Sequence, residues 1–335
     1  MDEEGTVGQQ PKVYVTRAIP EAGLGAVREA CQARVWQEKL PPPRQVILEE
    51  VSDCDGLLCL LSDEVDATVM DAGELRVISQ YAVGVDNIDL EAATARGIPV
   101  GHTPGVLTEA TADLTFTLLM AAARRIPEGI EKVQSGAWQT WEPMGLLGAQ
   151  VWGATLGVIG LGRIGTAVAR RGRGFQMRVL YHDTEHKWKL EEELGLIYAS
   201  LEELLGEADF VSVHTPLLPE TQQLIDEGAL RRMKPQAILV NAARGEIVDT
   251  QALVRALEEG WIARAALDVT DPEPISADHP LVRLENCIVV PHIGSATVRA
   301  RERMAEMAAQ NLLAGLRGDR LPYCANPQVY QVIDG

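Results

Sequence analysis

The stretch ILVNAARGEIVD, residues 238–249, runs an apolar strand into Asn241, then Ala242 and Ala243, then Arg244 followed at once by Gly245. Buried strands rarely end by delivering a guanidinium into a turn, because a buried charge must find a partner or water. Comparable endings recur along the chain. DFVSVHTP closes on Thr215 and Pro216, ALDVTDPEP carries Asp268 and then Glu273 between two prolines, and CIVVPHIGSAT delivers His292 ahead of Gly294 and Ser295. A guanidinium can hold a carboxylate through two parallel N–H···O bonds. A histidine beside a carboxylate can pass a proton near neutral pH. This set of side chains suits hydride and proton transfer to a carbonyl flanked by a carboxylate, with Gly245 expected to turn the chain away so that Arg244 faces a crevice. Each residue also has a plainer reading: Arg244 as a helix cap or surface ion pair, Glu273 as a solvated loop carboxylate, His292 as a hydrogen-bonded strand-end residue. The other histidines, His102, His182, His186, His214 and His279, lack a comparable setting.

A parallel sheet is what gathers several strand ends at one edge. From Lys12 the chain alternates short apolar runs (KVYVTR, ARVW, DGLLCLL, LRVISQY, IPVGHT) with helical patterns, and a second series (TLGVIG, MRVLYHD, DFVSVHTP, AILVNAA, ARAALDV, CIVVPHIG) begins near Thr155. Alternation of this kind predicts α/β architecture, here two doubly wound parallel-sheet domains in tandem. LTEATADLTFTLLMAAARRI, residues 107–126, is apolar around most of its circumference and is expected to be buried between domains or between subunits. The closing amphipathic segment from Ser295 is expected to return to the first domain. The resulting division is a tail over residues 1–10, a discontinuous flavodoxin-like substrate-binding domain over 11–104 and 295–335, and a Rossmann dinucleotide-binding domain over 105–294.

The second series opens with LGVIGLGRIG, which sets Gly160, Gly162 and Gly165 in GxGxxG spacing, with Leu161, Arg163 and Ile164 between them. A lone motif of this kind is weak. This one follows an apolar strand and opens a helix, the context in which glycines admit a pyrophosphate to a helix N-terminus. Asp183 ends the next strand, 183 − 162 = 21 residues past the middle glycine, where a carboxylate accepts from the adenosine ribose. No arginine follows for a 2′-phosphate, so NAD is expected over NADP, with His186 and Lys187 close enough to keep NADP possible. One oddity is Gly172 in ARRGRGF, where a helix-favouring residue would be expected and glycine costs about 1 kcal/mol.

Composition narrows the function classes. The 335 residues carry a formal net charge of −18, which repels a phosphate backbone, so nucleic acid is a poor partner. No apolar run reaches the length of a membrane span, and the acidic start MDEEGTVGQQ is not a signal peptide. The five cysteines form no CxxC pair and an odd count argues against a disulfide framework, which points to reduced thiols in the cytoplasm. No His/Cys/Asp cluster has metal spacing.

VIGLGRIG, NAARGEIVD, ALDVTDPEP and PHIGSAT, with YAVGVDNID upstream, resemble the D-isomer-specific 2-hydroxyacid dehydrogenases, in motif order and spacing from about Lys12 to Pro327. Within that family GVLTEATADL, GAWQTWEP, DVTDPEP and NLLAGLRG are most similar to the glyoxylate/hydroxypyruvate reductases. The resemblance implies NAD(P)H-dependent reduction of small 2-oxoacids to D-2-hydroxyacids. Arg244 would orient the substrate's carboxylate and carbonyl, His292 would be the acid/base, and Glu273 would keep it protonated for reduction. Asp268 would face the nicotinamide carboxamide, with Thr215, Pro216, Ala242, Ala243 and Gly294 also lining the cofactor. The backbone at Val83 and Gly84, with Ser295, would take the substrate. The resemblance also implies a homodimer whose interface includes the buried helix and GAWQTWEP, with Trp141, and less so Trp138, reaching the partner's site. The alternatives are a D-lactate or phosphoglycerate type of the same family, or an NAD-sensing corepressor-like binding protein. A formate dehydrogenase would carry glutamine in place of Glu273.

Overall fold

The computed structural model describes residues 10–333, so the expected tail over 1–10 lies outside the described residues apart from Gln10. The chain divides into two compact units, one running to Leu107 and resuming at Ala296, the other spanning Thr108–Ser295. Each has its own sheet.

The first unit holds β1 (Lys12–Val15), β2 (Gln32–Val35), β3 (Gly56–Cys59), β4 (Val77–Gln80) and β5 (Val100–Gly101), paired in the order β2-β1-β3-β4-β5. Every pairing is parallel. This is the flavodoxin-like order. β3 and β4 are buried at every residue, which is why GLLC and VISQ read as runs rather than alternations. The helix Val298–Leu316 packs on β3 and β4 and on the helix Glu21–Ala30, presenting Ala305, Ala308 and Ala309. Small side chains allow that close approach, and Ser79 Oγ donates to the helix carbonyl of Ala308 at 2.8 Å.

The second unit holds β6 (Thr155–Ile159), β7 (Arg178–His182), β8 (Ile197–Tyr198), β9 (Phe210–Val213), β10 (Ile238–Asn241), β11 (Arg264–Leu267) and β12 (Cys287–Val289). Their order, β12-β11-β10-β9-β6-β7-β8, reverses direction at β6, the doubly wound Rossmann arrangement. The crevice at that reversal lies beyond the carboxyl ends of β6 and β9. β8 was not expected: two residues at a sheet edge, with Ile197 44% exposed, carry no readable periodicity.

The apolar helix spans Thr108–Ala123 and packs on β10, β11 and the helix Arg163–Gly174. Its uncovered side, with Phe116, Thr117, Met120 and Phe175, lines an open apolar groove of about 960 Å³. Gly172 has a packing reason that the helix rule did not supply. A Cβ there would lie 2.8 Å from Leu156 Cδ2 and 3.3 Å from Val179 Cγ2, so glycine lets this helix sit on β6 and β7. Among the described residues no helix is long and apolar enough to cross a membrane, and no group of His, Cys, Asp or Glu could hold a metal ion. All five cysteines are free thiols.

Candidate active site

The glycine turn between β6 and the helix Arg163–Gly174 has the shape a pyrophosphate needs. Gly160 adopts φ +88°, and a Cβ there would meet Thr215 N at 2.7 Å. A Cβ at Gly165 would strike Gly160 O at 2.1 Å, so the helix lies hard against the turn. Gly162, the residue capping the helix, faces open space and offers no side chain to its first N–H groups. Those donors and the helix dipole are thus left to an anion. Arg163 is exposed beside it, while Leu161 is buried and Ile164 half-buried.

Asp183 follows β7 and is tied to the same turn, its Oδ2 accepting from Leu161 N–H at 2.8 Å. Burial pushes its carboxyl up, but the Leu161 N–H and the Lys187 ammonium 3.7 Å away outweigh that and hold it below the usual range. It is therefore ionised at neutral pH. The loop behind it is braced: Tyr181 hydroxyl donates to Glu191 at 2.5 Å and accepts Lys187 N–H at 2.7 Å, and His186 stacks on Tyr198 at 3.7 Å.

Past the ends of β10, β11 and β12 three side chains gather within the second unit. Asn241, 1% exposed, is the organiser that sequence reasoning passed over. Its Nδ2 donates to Arg244 O at 2.7 Å and its Oδ1 accepts Ala243 N–H at 3.0 Å, fixing the turn that carries Ala242, Ala243 and Arg244. An amide at a strand end before an arginine was the available signal. Gly245 opens the turn Gly245–Ile247 without a positive φ, and a Cβ there would meet Thr270 O at 2.1 Å. Its smallness brings the arginine turn against the loop leading to Glu273.

His292 Nδ1 and Glu273 Oε1 lie 2.6 Å apart. Burial pushes the Glu273 carboxyl up, but the His292 hydrogen bond and charge, the Thr270 N–H and the Arg244 guanidinium together hold it below the usual range. Glu273 is thus a hydrogen-bonded, ionised partner of His292 on an exposed loop. His292 sits at φ +51°, a conformation uncommon outside glycine. Asp268, 2% exposed, secures the segment that follows: its two oxygens accept Ile293 N–H at 2.7 Å and Gly294 N–H at 2.8 Å. Burial raises the Asp268 carboxyl against those two bonds and against His292. Thr215 and Pro216 follow β9, and Ser295 closes the second unit. His214 is excluded as an acid/base: its Nε2 pairs with Ser212 Oγ at 2.7 Å, its Nδ1 is buried, and burial holds it well below the usual histidine range. Val83 and Gly84 follow β4 in the first unit, and Trp141 is 80% exposed in the stretch after the apolar helix.

Residues 116–294 match the family model for the D-isomer specific 2-hydroxyacid dehydrogenase NAD binding domain. The chain belongs to the D-isomer specific 2-hydroxyacid dehydrogenases. Among its relatives, glyoxylate reductase of Korarchaeum cryptofilum is 53% identical over 325 residues, covering 96% of this chain and 98% of that one. The glyoxylate reductase of Thermococcus kodakarensis is 51% identical over 328 residues, covering 96% and 98%. Among solved structures, the TT0316 protein of Thermus thermophilus superposes with a TM-score of 0.89 at 50% identity, covering 94% of this chain and 99% of that one. The NADPH-dependent glyoxylate/hydroxypyruvate reductase of Sinorhizobium meliloti, in complex with NADP and malonate, superposes with a TM-score of 0.85 at 30% identity, covering 96% and 98%. The protein is therefore a nicotinamide-dependent dehydrogenase of 2-hydroxyacids with an NAD-binding domain.

Proposed function

We propose that the protein reduces glyoxylate and hydroxypyruvate to the corresponding 2-hydroxyacids with NADH. The His292–Glu273 pair at 2.6 Å, with Arg244 close enough to act on the same carboxylate, carries the reading. A bound nicotinamide supplies the hydride. Glu273 occupies Nδ1 of the imidazole, which leaves Nε2 to give a proton to the substrate oxygen. Arg244 is assigned two oxygens of the oxoacid, the backbone of Val83 and Gly84 its carboxylate, and Ser295 a further substrate contact. Thr215, Pro216, Ala242, Ala243 and Gly294 line the cofactor, and Asp268 sets the histidine segment next to the carboxamide. The names of the relatives favour this over an NAD-sensing binding protein, and turnover of NADH with glyoxylate separates the two. Five free thiols fit a cytoplasmic setting.

Asp183 is expected to accept from the ribose 2′-hydroxyl and to repel a 2′-phosphate. Purified protein should turn over glyoxylate and hydroxypyruvate faster than pyruvate, and NADH should outperform NADPH. Asp183→Ser with Thr184→Arg should shift preference toward NADPH by removing one charge and adding its opposite. No turnover across this panel with either cofactor would refute the enzyme reading; a wild-type preference for NADPH would give the 2′-site to Lys187 and His186 instead.

We also propose a homodimer. Ile126, Ile130, Val133, Trp138, Trp141 and Met144 are all about half-exposed or more, an apolar density that a monomer rarely leaves in water. Trp141 is assigned to the partner's site. Sedimentation should give twice the chain mass, and Trp141→Arg should weaken association or oxoacid binding; a monomer at micromolar concentration would refute the assignment.

A further inference from the structure

We infer that His102 and Gln80 are positioning residues that hold the turn after β4 as an anion-binding loop for the substrate's carboxylate; this rests on the assignment of Val83 and Gly84 above. Three successive carbonyls of that turn are tied down from within the first unit. Thr103 N–H donates to Ala82 O at 2.8 Å, His102 Nδ1 to Val83 O at 3.0 Å, and Gln80 Nε2 to Gly84 O at 3.3 Å. A carbonyl only accepts, so the His102 proton resides on Nδ1.

In a trans peptide the C=O and the following N–H point opposite ways. Tying back the carbonyls of residues 82–84 therefore turns the N–H groups of Val83, Gly84 and Val85 outward. Among the described residues none of these three donors has a partner in the protein, and all three residues are partly exposed. Successive outward N–H groups form a concavity that suits an anion. In a chain with a net charge of −18, such local donors counter the repulsion a carboxylate meets on approach.

The anchors are themselves locked. Gln80 is fully buried; its Nε2 also donates to Asn87 Oδ1 at 2.7 Å, and its Oε1 accepts from the Cys59 thiol at 3.1 Å, which fixes which way the amide faces. Asn87 in turn donates to Leu60 O at 3.1 Å and Asp63 O at 2.6 Å. The main chain of His102 is pinned on both sides, its N–H to Tyr323 O at 3.1 Å and its O by Nδ2 of the buried Asn311 at 2.9 Å. The closing segment of the chain thus reaches the loop through one imidazole.

The test compares isosteric variants by KM for glyoxylate, inhibition by oxamate, KM for NADH and thermal midpoint. His102→Asn keeps an N–H near the Nδ1 position and should stay within a few-fold of wild type. His102→Asp offers only an acceptor to a carbonyl and should raise both the glyoxylate KM and the oxamate inhibition constant about tenfold, with the NADH KM unchanged. Gln80→Met should act in the same direction and serves if the aspartate variant does not fold. Gly84→Pro, which deletes the N–H itself, is measured alongside. If Gly84→Pro weakens oxamate and His102→Asp and Gln80→Met do not, the anchors are idle and this inference fails alone. If Gly84→Pro binds oxamate as wild type does, the loop is not the carboxylate site and the underlying assignment falls with it. Equal losses in the Asn and Asp variants would make His102 a space-filler and also overturn the inference.

Discussion

Arg244→Lys is expected to lower kcat/KM for glyoxylate by about 10²-fold, and Arg244→Ala by about 10³-fold, while NADH binding and the thermal midpoint stay near wild type. A guanidinium grips a carboxylate and the neighbouring carbonyl oxygen in one plane, whereas an ammonium is a single point charge. Losing one charge-assisted hydrogen bond removes about 1.5–3 kcal/mol, and losing alignment in the transition state adds to kcat what binding alone would put into KM. Folding should survive because the turn is held through the main chain: Asn241 bonds to Arg244 O and Ala243 N, not to the guanidinium. The Arg244 side chain does bond to Ala243 O at 2.8 Å and weighs on the Glu273 carboxyl. The alanine variant should therefore also disturb the acid/base pair, and added guanidinium should restore part of its rate. Steady-state kinetics with calorimetric NADH titration decide the matter. A lysine variant with wild-type kcat/KM would make Arg244 a structural arginine.

Much of this site was legible because strand ends announce themselves. Arg244, Asp268 and His292 each terminate an apolar run, and the order of a parallel sheet then gathers them without further information. The glycine turn was legible for the same reason: its strand, its spacing and Asp183 all lie within one local unit. What escaped reading depends on neighbours remote in sequence. Gly172 looked like a poor helix residue until Leu156 and Val179 were placed against it. Gly245 is legible as a turn glycine, but its close approach to Thr270 is not, because the β10–β11 pairing brings that residue near. β8 is two residues long, too short for any period to register. His102 looked idle because its partner is the carbonyl of Val83, 19 residues away, and no side-chain pattern marks a carbonyl.

Glu273→Gln is expected to move the pH dependence of catalysis to lower pH in both directions of the reaction, at the expense of reduction and in favour of oxidation. The carboxylate is held below the usual range by His292, Thr270 and Arg244 despite the burial that opposes them, so it is ionised wherever the enzyme works. A group depressed in this way contributes stability above its unfolded pKa and loses it as pH falls through the folded one, so acid, not alkali, undoes the pair. Glutamine can still accept the Nδ1 hydrogen bond seen at 2.6 Å and keep the ring oriented, but it no longer favours the imidazolium electrostatically. Reduction needs His292 protonated, so the alkaline fall of kcat/KM should begin at lower pH in the variant, with about a tenfold to hundredfold loss at neutral pH. Oxidation of the 2-hydroxyacid needs the neutral ring, so its acid limb should also move down and the variant should stay active at pH values where wild type has stopped. The apparent values belong to the coupled pair, and both limbs must shift together. A residue that merely propped the loop would lower both directions at every pH without moving either limb, and that result would remove Glu273 from the proton's path.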